Sequence, residues 1–253
     1  MSILITFVCL IVPVALVIGL HNLIAHLVMP RVYRSTVSRS IYYGSAFFGT
    51  PIHEISHAIM ALLFGHKVEK ICLFQSGKDG RLGYVKHSWN TRSIYQNTGL
   101  FFIAIAPLFG AGLVLVTAYF SLDLTINGLS FISQSDTPID VLGSFLTNGN
   151  VLIRGIFANS QSLLVFLGLS LVCFHCVPSR SDFKNAIKGS LVALLVISAV
   201  LFGLGFFKLQ QGLSFIFGVW SFSITITMIV LFSSLLWWLV LGVTALLFNK
   251  RMS

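Results

Sequence analysis

The sequence is short of acids. Its 253 residues hold seven Asp and Glu together, and only two of these, Glu54 and Glu69, are Glu. Charged residues of both signs make up 9% of the chain, against roughly 25% in an average soluble domain. So few charges cannot coat a water-soluble particle of this size. A hydrophobic share of 56% excludes disorder for the opposite reason. Four cysteines in a chain this long exclude a disulfide scaffold. Cys173 and Cys176 form a C-x-x-C, but it ends an apolar run without a thioredoxin-like pattern, so no redox role is assigned. Apolar side chains are abundant, with 23 Phe and a mean hydropathy of +0.93. The class that remains is an all-α polytopic membrane protein.

A spanning helix needs about 20 apolar residues. Stretches of that kind lie at 3–29, 41–64, 99–120, 161–177, 189–207 and 221–248. The expectation is six spans in a single transmembrane domain over 1–253. The first lacks the basic start and small-residue cleavage site of a signal peptide, so it is expected to remain. Phe64-Gly65 marks the end of the second helix. Residues 66–93 read differently. Val68, Lys70, Cys72 and Phe74 alternate with Glu69, Ile71 and Leu73, and Gly77-Lys78-Asp79-Gly80 is a turn signal. Arg81 to Trp89 can return as a strand, which predicts a β-hairpin at the membrane surface.

The net charge is +9. In a soluble protein that excess would suggest nucleic acid. Here the basic residues sit in short runs between apolar segments, so membrane topology explains them and no nucleic-acid partner is expected. With both termini and the hairpin in the cytoplasm, eleven of the sixteen Lys and Arg lie inside. Arg31, Arg34 and Arg39 oppose that orientation. Trp220, Trp237 and Trp238 read as lipid-facing or interfacial.

Glu54 stands in the middle of an apolar helix, where an ionisable group is expensive unless it has a partner or a task. Its neighbours are His53-Glu54-Ile55-Ser56-His57. Helix positions i and i+4 share a face, so both imidazoles can bind one Zn²⁺, with Glu54 beside the first of them. At this composition an H-E-x-x-H arises by chance about once in 650 such sequences. The bland alternative is that both histidines are polar glue between helices.

Zinc in a catalytic site takes three protein ligands and leaves a place for water. Asp182 is the first candidate for the third. It follows an apolar run and Pro178, in a short polar turn before a new helix, and it can equally be a capping residue for a helix starting near Phe183. Asp140 is the second candidate, and His66, His87 and His175 are weaker ones. Pro51 is expected to kink the helix or to free backbone groups beside a wet cavity. His21, Asn22 and His26 in the first helix read as polar groups pairing across the bundle rather than as a second metal site.

Three places in the chain resemble the intramembrane zinc metalloproteases of the site-2 protease type. The first is His53-Glu54-Ile55-Ser56-His57 within a hydrophobic helix. The second is Ile105-Ala106-Pro107-Leu108-Phe109-Gly110, which looks like that family's Gly-Pro-x-x-Asn helix. The third is the Pro-containing stretch ending in Asp182, similar to the family's Asn-Pro-x-Asp-Gly region. Together they cover about residues 41–190. Ala106 stands where the family has Gly, an Asn after Pro107 is missing, and Phe183 follows Asp182, so the resemblance is to a divergent branch.

The resemblance implies a zinc endopeptidase with His53, His57 and Asp182 on the metal and Glu54 as general base. Its partner would be a transmembrane protein or peptide in the lipid bilayer, in what the compact size suggests is a bacterial plasma membrane. The hairpin would capture an extended substrate segment by edge pairing or anchor the chain on anionic headgroups. Two other classes stay open: a catalytically inactive relative acting as a membrane binding module, and a metal-ion transporter.

Overall fold

The structure is a computed structural model of the chain. It describes residues 3–75, 81–121 and 153–248, together with 143, 146, 147, 150 and 151. Helix α1 runs Ile3–Arg34 and α2 Thr36–Leu63, with Ser35 alone between them. The Ser35 hydroxyl accepts from the Ser38 amide and so caps the start of α2. Strands β1 (Lys67–Cys72) and β2 (Tyr84–Ser88) follow, then α3 (Ile94–Ser121), α4 (Ser160–His175), α5 (Arg180–Phe206) and α6 (Gln210–Leu247). Helix α2 stops at Phe64-Gly65, as the sequence predicts.

Four helices are long and apolar enough to cross a membrane, over Val14–Arg34, Ile94–Leu115, Arg180–Phe206 and Gln210–Leu247. This is the signature of a membrane protein. The six expected spans are not all of this kind. The stretch at 41–64 lies in α2, a 28-residue helix whose Ser, Thr, His and Glu side chains make it too polar for that class. The stretch at 161–177 is α4, with 16 residues. At 1.5 Å per residue it reaches about 24 Å, short of a hydrocarbon core of about 30 Å. The fifth stretch begins at Arg180 rather than 189, because a Ser179 cap starts the helix before its apolar part. Phe202, Phe206 and Leu247 are each more than 70% exposed, which suits lipid rather than water around them.

Helix α3 packs on α5 and α2, α1 on α6, and α2 on α4. One apolar core joins Phe101, Ala104, Ile105 and Leu108 of α3 to Cys173 of α4, Ala186 of α5 and Val230 of α6. A second ties Val32 of α1 to Phe174 of α4 and Trp238 and Leu241 of α6. These contacts place α2 and its polar residues among α3, α4 and the start of α5. Helix α2 stays continuous across Pro51. Pro51 offers no N–H to the Phe47 carbonyl, so the helix cannot use that group, one of the two effects expected of this proline.

The predicted hairpin is present. β1 and β2 pair antiparallel, with Ile71 opposite Val85 and a bulge between Val68 and Lys70. Beyond the ladder, the Gln75 amide donates to the Leu82 carbonyl at 2.6 Å. The turn expected at Gly77–Gly80 lies outside the described residues. At the bulge, Lys86 sits 3.0 Å from Glu69 and holds its carboxyl below the usual carboxylate range.

Candidate metal centre

His53 and His57 lie one turn apart on α2, and both are buried. The first turn of α5 brings Asp182 to them. His57 Nε2 is 3.0 Å from His53 Nε2 and 3.5 Å from Asp182 Oδ1, and His53 Nε2 is 3.6 Å from Asp182 Oδ2. One ligand atom from each residue falls within 4.8 Å of the others, close enough to hold a metal ion together.

Backbone carbonyls fix both imidazoles. His53 Nδ1–H donates to the His175 carbonyl at 2.8 Å, and His57 Nδ1–H donates to the Ile103 carbonyl at 2.7 Å. Both acceptors are free for a reason written in the sequence. His175 is the last residue of α4, where helix carbonyls have no amide partner. Ile103 lies four residues before Pro107, whose nitrogen carries no hydrogen, so the helix cannot use that carbonyl. With both Nδ1 protonated, the two neutral rings turn acceptor lone pairs toward each other at Nε2. Facing acceptors repel, and a cation between them removes the conflict. Hydrogen bonds of this kind fix the tautomer of metal-ligating histidines.

The approach of α4 to α2 depends on Gly49. A Cβ there would stand 2.6 Å from the His175 Cβ, so a side chain would push away the residue that holds His53.

Asp182 shows the capping role weighed for it and is also placed beside the two histidines. It occupies the third position of a capping box, where the Ser179 amide and hydroxyl donate to Oδ2 at 2.7 and 2.6 Å. The helix it caps begins at Arg180, one turn before Phe183. These bonds fix the carboxylate against the helix start, and its oxygens also face the two histidines.

Glu54 is 6% exposed, and no hydrogen bond reaches its carboxylate from the described residues. It borders a cavity of about 600 Å³ that also reaches His53, His57 and Asp182. Gly83, just ahead of β2, lies directly over it. A Cβ on Gly83 would stand 2.8 Å from Glu54 Cγ and 2.8 Å from the Cys72 carbonyl. Only a residue without a side chain lets the return strand come this close.

The histidines named as weaker candidates fall apart from the triad. Asp140 lies outside the described residues. The His175 ring turns to Ser45, at 2.8 Å, and only its carbonyl serves the site. His66 Nε2–H donates to the Gln96 carbonyl, so its Nδ1 accepts from His87 Nδ1–H at 2.9 Å. That leaves His87 Nε2 as an acceptor on a residue that lines the cavity. Burial pushes the His87 imidazole below its ordinary pKa, and His66 and His57 add to the shift. His21 pairs across the bundle as expected, with Ser234 and Trp238 of α6. His26 is exposed and joins neither group. Sequence reading missed the Ile103 and His175 carbonyls, Gly49 and Gly83. Pro107 is the one advance signal, since a proline in a helix frees the carbonyl four residues earlier.

Pro107→Ala is expected to leave the fold intact and to weaken metal binding 10–100-fold, the usual loss on removing an outer-shell partner. Alanine restores an amide to compete for the Ile103 carbonyl. Titration against a chromophoric chelator checks this, and unchanged affinity would show that the carbonyl does not matter.

Comparison of the chain with family models, with curated proteins and with solved structures finds no match.

Proposed function

We propose that the chain is a zinc-dependent intramembrane endopeptidase, similar to the site-2 protease type, with Glu54 as general base. One observation carries the proposal: two imidazole Nε2 atoms and one carboxylate converge next to a buried Glu, hydrogen-bonded to none of the described residues, on the wall of a cavity. Tetrahedral zinc with ligand bonds of 2.0–2.1 Å separates its ligand atoms by about 3.3 Å. The three separations here, 3.0, 3.5 and 3.6 Å, bracket that value. Two nitrogens and one oxygen are also a donor set that zinc accepts, with one position left for water.

Zinc held by His53, His57 and Asp182 would acidify water and polarise a scissile carbonyl. The chain's own residues do the rest. Glu54 accepts the proton of the attacking water and returns it to the leaving nitrogen. The carbonyls of Ile103 and His175 keep the imidazoles in register. The return strand at Gly83 to Val85 borders the cavity beside Glu54, which favours a substrate-guiding role over a plain headgroup anchor. An extended segment can add to a strand edge, whereas a helix hides its peptide bonds.

The transporter reading receives less support. Among the described residues, Glu54 and Asp182 are the acids found on helices, and both belong to one site. An inactive binding module would keep the fold without needing an intact Glu54.

The test is metal removal. Full-length protein in detergent is offered fluorescently labelled single-span peptides, then stripped with 1,10-phenanthroline. Cleavage is expected before stripping, to be lost after it, and to return on adding zinc. Cleavage unaffected by complete metal removal would overturn the proposal.

A further inference from the structure

We propose that the same cavity holds a second binding element, a peptide-group subsite formed by His21 and Asn22 of α1, which takes a main-chain amide of an extended substrate segment. It rests on the proteolytic reading above.

The argument begins with the His21 tautomer. Trp238 Nε1 can only donate, and it points at His21 Nδ1 at 3.3 Å. The Ser234 hydroxyl lies 2.7 Å from the same nitrogen. Nδ1 is therefore an acceptor, and the proton of the neutral ring sits on Nε2. No hydrogen bond within the described residues uses that N–H. Asn22 is next. One N–H of its amide donates to the Ile18 carbonyl at 2.7 Å. Its carbonyl oxygen and second N–H make no hydrogen bond to the described residues. Both residues line the cavity that reaches His53, Glu54 and Asp182.

Thr50, one turn before Glu54, borders the same space, is 4% exposed and has a hydroxyl without a hydrogen-bond partner. Three polar residues on the wall of one cavity thus hold hydrogen-bonding capacity that the described residues do not use, and in a hydrophobic bundle such groups are costly to leave unpaired. A fixed N–H donor beside a primary amide is complementary to a peptide group, which offers one carbonyl and one N–H. Substrate unwinding exposes such groups. A subsite away from the metal would bind them while the scissile bond reaches Glu54.

The experiment uses two probes on the zinc-loaded full-length protein in detergent, read by calorimetry. Acetohydroxamate reaches only the metal. A hydroxamate joined to an apolar tripeptide reaches the metal and the cavity wall. His21→Phe and Asn22→Leu are each expected to weaken the peptidyl probe about tenfold, the worth of one or two hydrogen bonds, and to leave acetohydroxamate unchanged. His21→Gln, which keeps an N–H donor, is expected to retain most of the affinity.

Full peptidyl affinity in both the His21→Phe and Asn22→Leu variants would overturn the subsite and leave the protease reading standing. Equal losses toward both probes would make these residues structural supports of the metal centre and also overturn it. Wild-type protein that holds zinc but binds neither probe would overturn the protease reading and the subsite with it.

Discussion

Glu54→Gln is expected to abolish cleavage while the metal stays bound. The amide matches the carboxylate in size, so the seat under Gly83 is preserved. It cannot take a proton from water. General-base catalysis contributes on the order of 10²–10⁴-fold, so the rate should fall at least about a hundredfold. Metal content should match the wild type, because the three donors are His53, His57 and Asp182. Parallel assays of peptide cleavage and bound metal check this. A variant that keeps its rate would remove Glu54 from the chemistry. A variant that loses its metal would make Glu54 a ligand.

Asp182 gives the second large effect, and a pair of variants separates its two roles. Asp182→Ala removes both the carboxylate facing the histidines and the capping-box acceptor of α5. The N-cap of α5, a kind of residue whose loss costs about 0.5–2 kcal/mol, is Ser179, and Asp182 supplies the reciprocal acceptor of the box. Asp182→Asn keeps an oxygen for the Ser179 amide but loses the negative charge. Both variants should lose metal affinity by more than the 10–100-fold typical of outer-shell changes, since a direct ligand is at stake. Only Asp182→Ala should also lower the melting temperature through the cap. Metal affinity that survives in Asp182→Asn would mean that the residue is a cap alone. The third ligand would then have to be sought in Asp140 or a histidine.

The candidate triad was legible for unequal reasons. His53 and His57 announce themselves, since a spacing of four puts them on one helix face whatever the tertiary structure. Asp182 was legible as a candidate because a proline and a polar turn follow an apolar run, and a carboxylate there has few other settings. That it caps α5 and at the same time faces both histidines was not, because capping and metal binding leave the same trace in the sequence. The groups that orient the imidazoles are main-chain carbonyls and carry no residue code. Pro107 betrays one of them, and the end of α4 hides the other.

Four of the six expected spans correspond to helices long and apolar enough to cross a membrane among the described residues, and the expected bounds differ where hydropathy and helix extent part company. Helix α2 is helical throughout, yet its polar face, the one that carries the site, lowers its hydropathy. Helix α5 begins at its Ser179 cap, nine residues before its apolar part. The hairpin was legible because alternation and turn chemistry act locally. Its descent onto Glu54 through Gly83 is a long-range contact, and local pattern does not reach that far.

The central claim is that three side chains from two helices hold one zinc ion. Its most direct measurement is metal analysis of the purified full-length wild-type protein, followed by zinc-edge X-ray absorption. The account predicts one zinc per chain, bound by two imidazole nitrogens and oxygen donors without sulfur. Protein that takes up no zinc after loading, or a zinc ion ligated by cysteine sulfur, would contradict it.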